Sequence, residues 1–169
     1  MQLHIGGDCS ALALVNPKKY VSFVGEDWYE NKNLINHLIT QTNQLNILMW
    51  GTGFEFDWIV EFKEGISNKN GFREFTGFLN NQDDALFLMN YDSLTMAAQF
   101  DDIELPDKET AKYRVNIPNG LYKFRVLQLV DTSQDGWWNE FADVPAFTIE
   151  YERVPTGSNN INAIPWYDL

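Results

Sequence analysis

The sequence predicts a mainly β fold, an antiparallel β-sandwich or a barrel-like variant of it, with one short helix near 33–41. Its 169 residues contain many short apolar segments rich in Val, Phe and Tyr, separated by Gly, Asn, Asp and Pro. Short strands between such turn residues are typical of sandwiches and barrels. Aromatic residues make up 15% of the chain and charged residues only 21%, which is not the composition of a disordered protein. We therefore expect one domain at 1–154 and a C-terminal tail at 155–169.

The clearest strand pattern is the segment 54–63, FEFDWIVEFK, in which apolar and polar residues alternate with Ile59 as the exception. Alternation of this kind predicts a half-buried strand with an acidic outer face. His4 is assigned to the first strand of the fold. Further strands are predicted at 11–16, 20–24, 45–50, 72–79, 85–89, 96–100, 112–117, 121–130 and 147–154.

The predicted helix places four apolar residues on one face, and either Asn31 or Asn33 can cap its free amides. The tail begins with a polar linker and ends in the apolar segment 164–167. We expect this segment either to pack back on the domain or to contact a partner.

The segment around Pro118 joins two predicted strands. Proline fixes φ near −65°, which excludes a tight primed hairpin. The connection is then either a turn with a bulge at Gly120 or an arch from one sheet to the other. These strands carry Lys112, Arg114, Lys123 and Arg125 and no acid. We expect Glu150 and Glu152, which alternate on the last strand, to neutralise Lys123 and Arg125 across a ladder.

Negative charge dominates the composition, with 24 Asp and Glu against 12 Lys and Arg and a net charge of −12. Eight of the acids fall between positions 83 and 109, where Lys108 is the only base. Such a charge disfavours binding to nucleic acid or to an anionic membrane and favours a basic protein. The predicted partner-binding carboxylates are Asp83, Asp84, Asp101, Asp102, Glu104, Asp107 and Glu109.

The segment Trp137-Trp138 adds two large aromatic residues to an acidic loop. Trp is enriched at the centres of protein interfaces, so we expect both residues to contribute to partner binding. The alternatives are that they stack on sugar rings, or that one Trp lies in the core and the other covers it.

The preceding residues 131–136 match positions 1, 3, 5 and 6 of a twelve-residue calcium loop. Position 12 is Ala142 rather than Glu, which excludes an EF-hand. A weaker calcium site remains as an alternative, formed by Asp131, Ser133, Asp135 and Asn139. The chain is otherwise expected to need no cofactor and no metal.

Catalytic groups are not indicated. Cys9, His4 and His37 have no spacing known for thiol enzymes, and a nucleophile needs an adjacent base. Glu55 and Asp57 share a strand face and resemble a glycosidase pair in spacing, but their predicted setting is solvent, which does not raise a pKa. We therefore expect a non-enzymatic protein.

The first fifteen residues lack a basic region and a long apolar stretch, and the chain has one cysteine. No apolar run has the length of a membrane span. These features predict a cytoplasmic protein.

The segment Ile117-Pro118-Asn119-Gly120-Leu121-Tyr122-Lys123-Phe124 resembles the (L/I)P-x-G-x-Y strand entry of several antiparallel sandwiches. Among these is the bacterial competence nuclease-inhibitor family, and the resemblance covers roughly 85–130. The general character of the chain also resembles that of immunity proteins from bacterial toxin systems. These resemblances imply an acidic inhibitor whose negative surface occupies the cationic cleft of a nuclease toxin. The alternative is a sandwich that binds carbohydrate, or another ligand with the help of calcium.

Overall fold

The computed structural model describes residues 1–26 and 31–167 and contains mainly strands, arranged in two sheets. One sheet has five strands in the order β1-β4-β9-β8-β5, and the other has four in the order β3-β2-β6-β7. All pairs are antiparallel except β4 with β9. Neither sheet closes into a barrel within these residues. The strands are β1 Gln2–Ile5, β2 Ala11–Val15, β3 Ile47–Gly51, β4 Trp58–Glu64, β5 Arg73–Asn81, β6 Leu86–Asn90, β7 Arg114–Val115, β8 Gly120–Gln128 and β9 Phe147–Arg153.

Three α-helices and a 3₁₀ turn complete the described part of the chain. They are α1 Asn31–Asn43, α2 Tyr91–Gln99, α3 Trp138–Phe141 and the 3₁₀ turn Thr110–Tyr113. The predicted helix at 33–41 is confirmed as α1, which is two residues longer at each end. No helix in the described residues is long and apolar enough to cross a membrane.

Two clusters of buried side chains organise these elements. The first draws on both sheets and includes Leu12 and Leu88 from the four-stranded sheet and Trp58 and Phe124 from the five-stranded sheet. The second lies on the other face of the four-stranded sheet, where Leu38 of α1 and Leu94 of α2 take part. The four-stranded sheet is thus covered on both faces.

Four predicted strands differ from the structure. The segment 112–117 contains only the two-residue strand β7, because Thr110–Tyr113 forms the 3₁₀ turn. The segment 96–100 lies in and after α2, because Asn90 caps a helix there by accepting a hydrogen bond from the Ser93 amide. The segment 20–24 does not pair with a neighbouring strand. Val24 N instead donates a hydrogen bond to Ala98 O of α2 at 2.8 Å. The strand predicted at 54–63 begins at Trp58 in the structure. Trp58 is also the first residue of this strand that pairs with β1.

The connection at Pro118 is the arch rather than the bulged turn, because β7 belongs to the four-stranded sheet and β8 to the five-stranded sheet. The tail packs back on the domain. Ile164 is 4% exposed, and the Trp166 ring packs against Phe75 with centroids 5.0 Å apart. The side chain of Asn159 hydrogen bonds to both Phe78 N and Phe78 O and so covers part of the β5 edge.

The predicted charge pairing between β8 and β9 is confirmed, since Lys123 lies opposite Glu152 and Arg125 lies opposite Glu150. Glu150 is 1% exposed and accepts hydrogen bonds from Ser67 N, Ser67 Oγ and Arg125 Nη1. Arg125 also donates to the Ser67 and Lys69 carbonyls. Burial alone would raise the pKa of Glu150, but the Ser67 bonds and the Arg125 charge outweigh burial and lower it. This network fixes the long β4–β5 loop to the outer face of the five-stranded sheet.

We expect Glu150→Gln to lower the free energy of unfolding by about 2 kcal/mol at neutral pH, because a charged group loses its hydrogen-bond partners. The matched control is Glu152→Gln, whose exposed ion pair with Lys123 at 3.3 Å is worth less than about 1 kcal/mol. Urea unfolding measures the free energy of unfolding of both variants.

The Glu150 contribution also depends on pH. Because the folded-state pKa of Glu150 is lowered, its contribution is complete above the unfolded-state pKa and disappears as pH falls through the folded-state value. The difference in free energy of unfolding between wild type and Glu150→Gln should therefore disappear at acidic pH. Equal effects of the two variants at neutral pH would show that the network does not anchor the loop.

Candidate protein-binding site

Strand register brings one set of loops to the same end of both sheets. Ile5 lies opposite Trp58, Leu12 opposite Asn90, and Gln128 opposite Phe147, so the residues beyond these pairs share that end. We call it the acidic end, and it consists of the segments 6–10, 52–57, 91–93, 107–113 and 129–146. These segments contain ten Asp and Glu and two Lys.

The opposite end of the sheets has balanced charge. Its turns at 16–19, 43–46, 82–85 and 116–119 contain two acids and two lysines. The net charge of −12 is therefore distributed unevenly, and most of it lies at the acidic end.

The partner-binding residues predicted from 83–109 do not form one group in the structure. Asp83 and Asp84 lie at the opposite end, where Asp83 forms an ion pair with Lys18 at 2.7 Å. The Asp84 carboxylate accepts a hydrogen bond from Asn119 N, which holds the arch in place. Asp101, Asp102 and Glu104 follow the C-terminus of α2, and only Asp107 and Glu109 reach the acidic end.

Asp107 has a structural role at the acidic end. Its Oδ1 accepts hydrogen bonds from the amides of Glu109 and Thr110 at the start of the 3₁₀ turn. Burial would raise the pKa of Asp107, but the bonds from Thr110 and Glu109 prevail and lower it. Glu109 is exposed and lines a recess of about 370 Å³ together with Asp92 and Lys112.

An aromatic cluster occupies the centre of the acidic end. Trp137 stacks on Trp58 with ring centroids 5.2 Å apart and an interplanar angle of 16°. Phe54 and Phe56 meet Trp137 edge to face at 5.5 and 4.9 Å. Trp137 is only 5% exposed, whereas Trp138, which contacts it edge to face, is 45% exposed. The alternative in which one Trp is in the core and the other covers it is therefore confirmed, and Trp138 is the more exposed of the two rings.

A groove of about 350 Å³ lies beside this cluster. Apolar walls come from Leu129, Trp137 and Phe141, and its only charged lining residues are three acids. These are Asp131, Asp135 and Glu140. The groove offers apolar contact together with negative charge, which suits the long side chains of Lys and Arg.

The sequence predicted neither this groove nor the meeting of several acids at the acidic end. Asp8, Glu55, Asp57, Glu140 and Asp143 come from three separate loops, and no local pattern relates those loops. Glu55 and Asp57 lie inside the strand predicted at 54–63, and Glu140 and Asp143 lie in the long connection after the strand predicted at 121–130, so the predicted strands do not show that these acids share one end.

The predicted calcium loop is held by its own hydrogen bonds. Asp131 accepts bonds from Ser133 Oγ, Ser133 N and Gln134 Nε2 at 2.7, 3.0 and 3.1 Å, and these bonds lower its pKa. Within the described residues, no group of three or more His, Cys, Asp and Glu side chains is arranged to hold a metal ion.

Cys9 lies beneath the acidic end as a buried thiol, 0% exposed. Burial, together with the charges of Asp57, Asp8 and Glu55, raises its pKa to about 12. His37 Nε2 is bonded to Val21 O at 2.6 Å, and His4 lies in β1. The thiol therefore remains protonated at neutral pH and is not an activated nucleophile.

Comparison with solved structures shows two similar folds. The chain shares the fold of ComJ. ComJ from Bacillus subtilis, an inhibitor of the DNA-degrading activity of NucA, aligns at a TM-score of 0.54 and 7% identity over 91% of this chain and 96% of ComJ. The product of crocagin biosynthetic gene J aligns at a TM-score of 0.57 and 10% identity over 90% of this chain and 94% of that one.

The resemblance to the competence nuclease-inhibitor family is therefore confirmed at the level of the fold. No family model matches the sequence, and no curated protein matches it either.

Substitution of the two tryptophans separates their roles. Trp137→Ala should lower the free energy of unfolding by about 3–5 kcal/mol, because it removes the centre of a buried aromatic cluster. Trp138→Ala should cost about 1 kcal/mol or less, the value of one edge-to-face contact. Urea unfolding of both variants measures the difference, and comparable losses would contradict a surface role for Trp138.

Proposed function

We propose that this chain is a non-enzymatic inhibitor that binds a basic nuclease through its acidic end. The observation that carries the proposal is the concentration of ten acids around a half-exposed aromatic centre at one end of the sheets. The fold shared with ComJ supports it, since ComJ inhibits a DNA-degrading enzyme. A nuclease toxin with this chain as its immunity protein fits the same chemistry.

The acidic residues supply the long-range part of recognition. A nuclease needs a cationic cleft to hold the DNA backbone. Carboxylates gathered on one surface attract such a cleft, and they steer association toward about 10⁸–10⁹ M⁻¹s⁻¹ at low salt. Because both ends are joined by the same rigid sheets, the charge asymmetry also orients the encounter.

The aromatic residues supply the short-range part. Phe54 and Trp138 are 49% and 45% exposed, and both rest against the buried Trp137. Large aromatic side chains that are held rigidly lose little entropy on binding and are enriched among the residues that dominate affinity. We assign Phe54 and Trp138 as anchors and Asp135, Glu140, Glu109 and Asp92 as their acidic surroundings. Trp137 contributes indirectly, because its contact with Trp138 holds the Trp138 ring in position.

DNA cleavage by the nuclease encoded nearest to the gene of this chain tests the proposal. We expect equimolar protein to stop cleavage and the inhibition rate to fall steeply as salt rises. The double variant Asp135→Asn/Glu140→Gln should slow association at low salt by about tenfold, because it removes two steering charges.

The matched control is Asp83→Asn/Glu64→Gln, which makes the same change in net charge at the opposite end, where both residues are on turns or strand ends. It should leave association nearly unchanged. If the two double variants slow association equally, the acidic end is not the interface. No inhibition by excess wild-type protein would overturn the proposed function itself.

A further inference from the structure

A second surface of the molecule exposes large apolar side chains. Met96 and Phe100 are four residues apart at the C-terminus of α2 and are 43% and 40% exposed. In the neighbouring segment 20–25, Val21 and Phe23 are 59% and 40% exposed. We call these four residues the α2 face.

The α2 face is built on fixed supports. Ala98 O of α2 accepts hydrogen bonds from Val24 N at 2.8 Å and Gly25 N at 3.2 Å, which attach the segment 20–25 to the helix. On the inner side of α2, Leu94, Ala97 and Ala98 are completely buried. The outward residues therefore stand on a rigid base, so their exposure belongs to the folded state and not to a loose segment.

The surroundings of the α2 face are negative on the side of the helix C-terminus, whereas the exposed Lys18 and Lys19 precede the segment 20–25. Asp101, Asp102 and Glu104 directly follow the helix and are exposed. The last turn of α2 contains no basic residue, and 91–107 contains no Lys or Arg at all. The C-terminus of a helix is itself the negative end of its dipole, so this site favours a cation.

These charges decide which occupant fits. Pairing of two copies of the chain through the α2 face would bring two sets of three carboxylates together, each on a protein with a net charge of −12. A protein segment with an apolar stripe flanked by Lys or Arg would bury the same apolar groups and neutralise the acids.

We propose that the α2 face is a second docking site, which binds a basic amphipathic segment of a protein partner. Met96 and Phe100 provide its apolar floor, and Asp101, Asp102 and Glu104 hold the flanking cations. This site lies beyond the proposed function, which uses the acidic end, and it does not depend on that function. In this proposal Asp101, Asp102 and Glu104, which lie outside the acidic end, also take part in binding.

A defined peptide probe tests this site without any nuclease. The probe is a fluorescein-labelled helix of about 14 residues, made of leucine and lysine with all leucines on one face. The reference probe has the same composition in an order that distributes leucine around the helix. Fluorescence anisotropy should show that wild-type protein binds the amphipathic peptide more tightly than the scrambled one.

Two matched variants locate the binding. Met96→Gln/Phe100→Gln should weaken binding of the amphipathic peptide by about tenfold or more, since it removes the apolar floor. Phe54→Gln/Trp138→Gln makes the same kind of change at the acidic end and measures how much of the probe binds there instead. All four residues are exposed, and circular dichroism with thermal unfolding verifies that both variants are folded.

Three results would overturn the proposal. Equal binding of the two peptides would show that charge alone attracts the probe. Loss of binding only in the Phe54→Gln/Trp138→Gln variant would place the probe at the acidic end. A wild-type dimer in light scattering that Met96→Gln/Phe100→Gln dissociates would identify a second copy as the occupant.

Discussion

Burial of both faces of the four-stranded sheet is the constraint on which the rest of the structure depends. All five side chains of β2 are 0% exposed, and every residue of β3 and β6 is buried as well. One face packs against the five-stranded sheet, and α1, α2 and the tail cover the other. Because β2, β3 and β6 have no solvent face, these three strands cannot carry charged side chains, and the charged residue Arg114 lies on the edge strand β7. The acids of a strongly acidic chain must then lie in loops, helix ends and the outer face of the other sheet.

The five-stranded sheet accommodates charged side chains in a different way. Its outer face contains charged residues, but the carboxylate of Glu150 and the guanidinium of Arg125 are held together under the β4–β5 loop. The acidic residues that stay exposed to solvent lie mainly in the loops. Strand register places more of these acidic residues at one end of the sheets than at the other. The separation of a negative end from a balanced end is thus a consequence of topology. The binding surface that we propose is directional for this reason.

Much of the fold could be predicted from local patterns. The continuous apolar run at 11–15 gives β2, and the spacing of Leu34 and Leu38 gives α1. Pro118 excludes a primed hairpin and leaves two connections, of which the structure contains the arch. The strand predicted at 96–100 was wrong because its apolar residues were weighed without Asn90, the helix cap that precedes them. The composition of the acidic end could not be predicted, because it requires knowing which strand ends meet. Asp83 and Asp107 are close in sequence and lie at opposite ends, whereas Asp8, Asp57 and Glu140 are far apart in sequence and lie together.

The fold shared with ComJ and the position of the charge both support the proposal that this chain covers a cationic surface of another protein. Hydrogen–deuterium exchange of the chain with and without its partner nuclease tests that account most directly. We expect slower exchange on binding in the segments 52–57 and 129–146, and unchanged exchange in the turns at 82–85 and 116–119. Protection of those turns, with the acidic end unaffected, would contradict it.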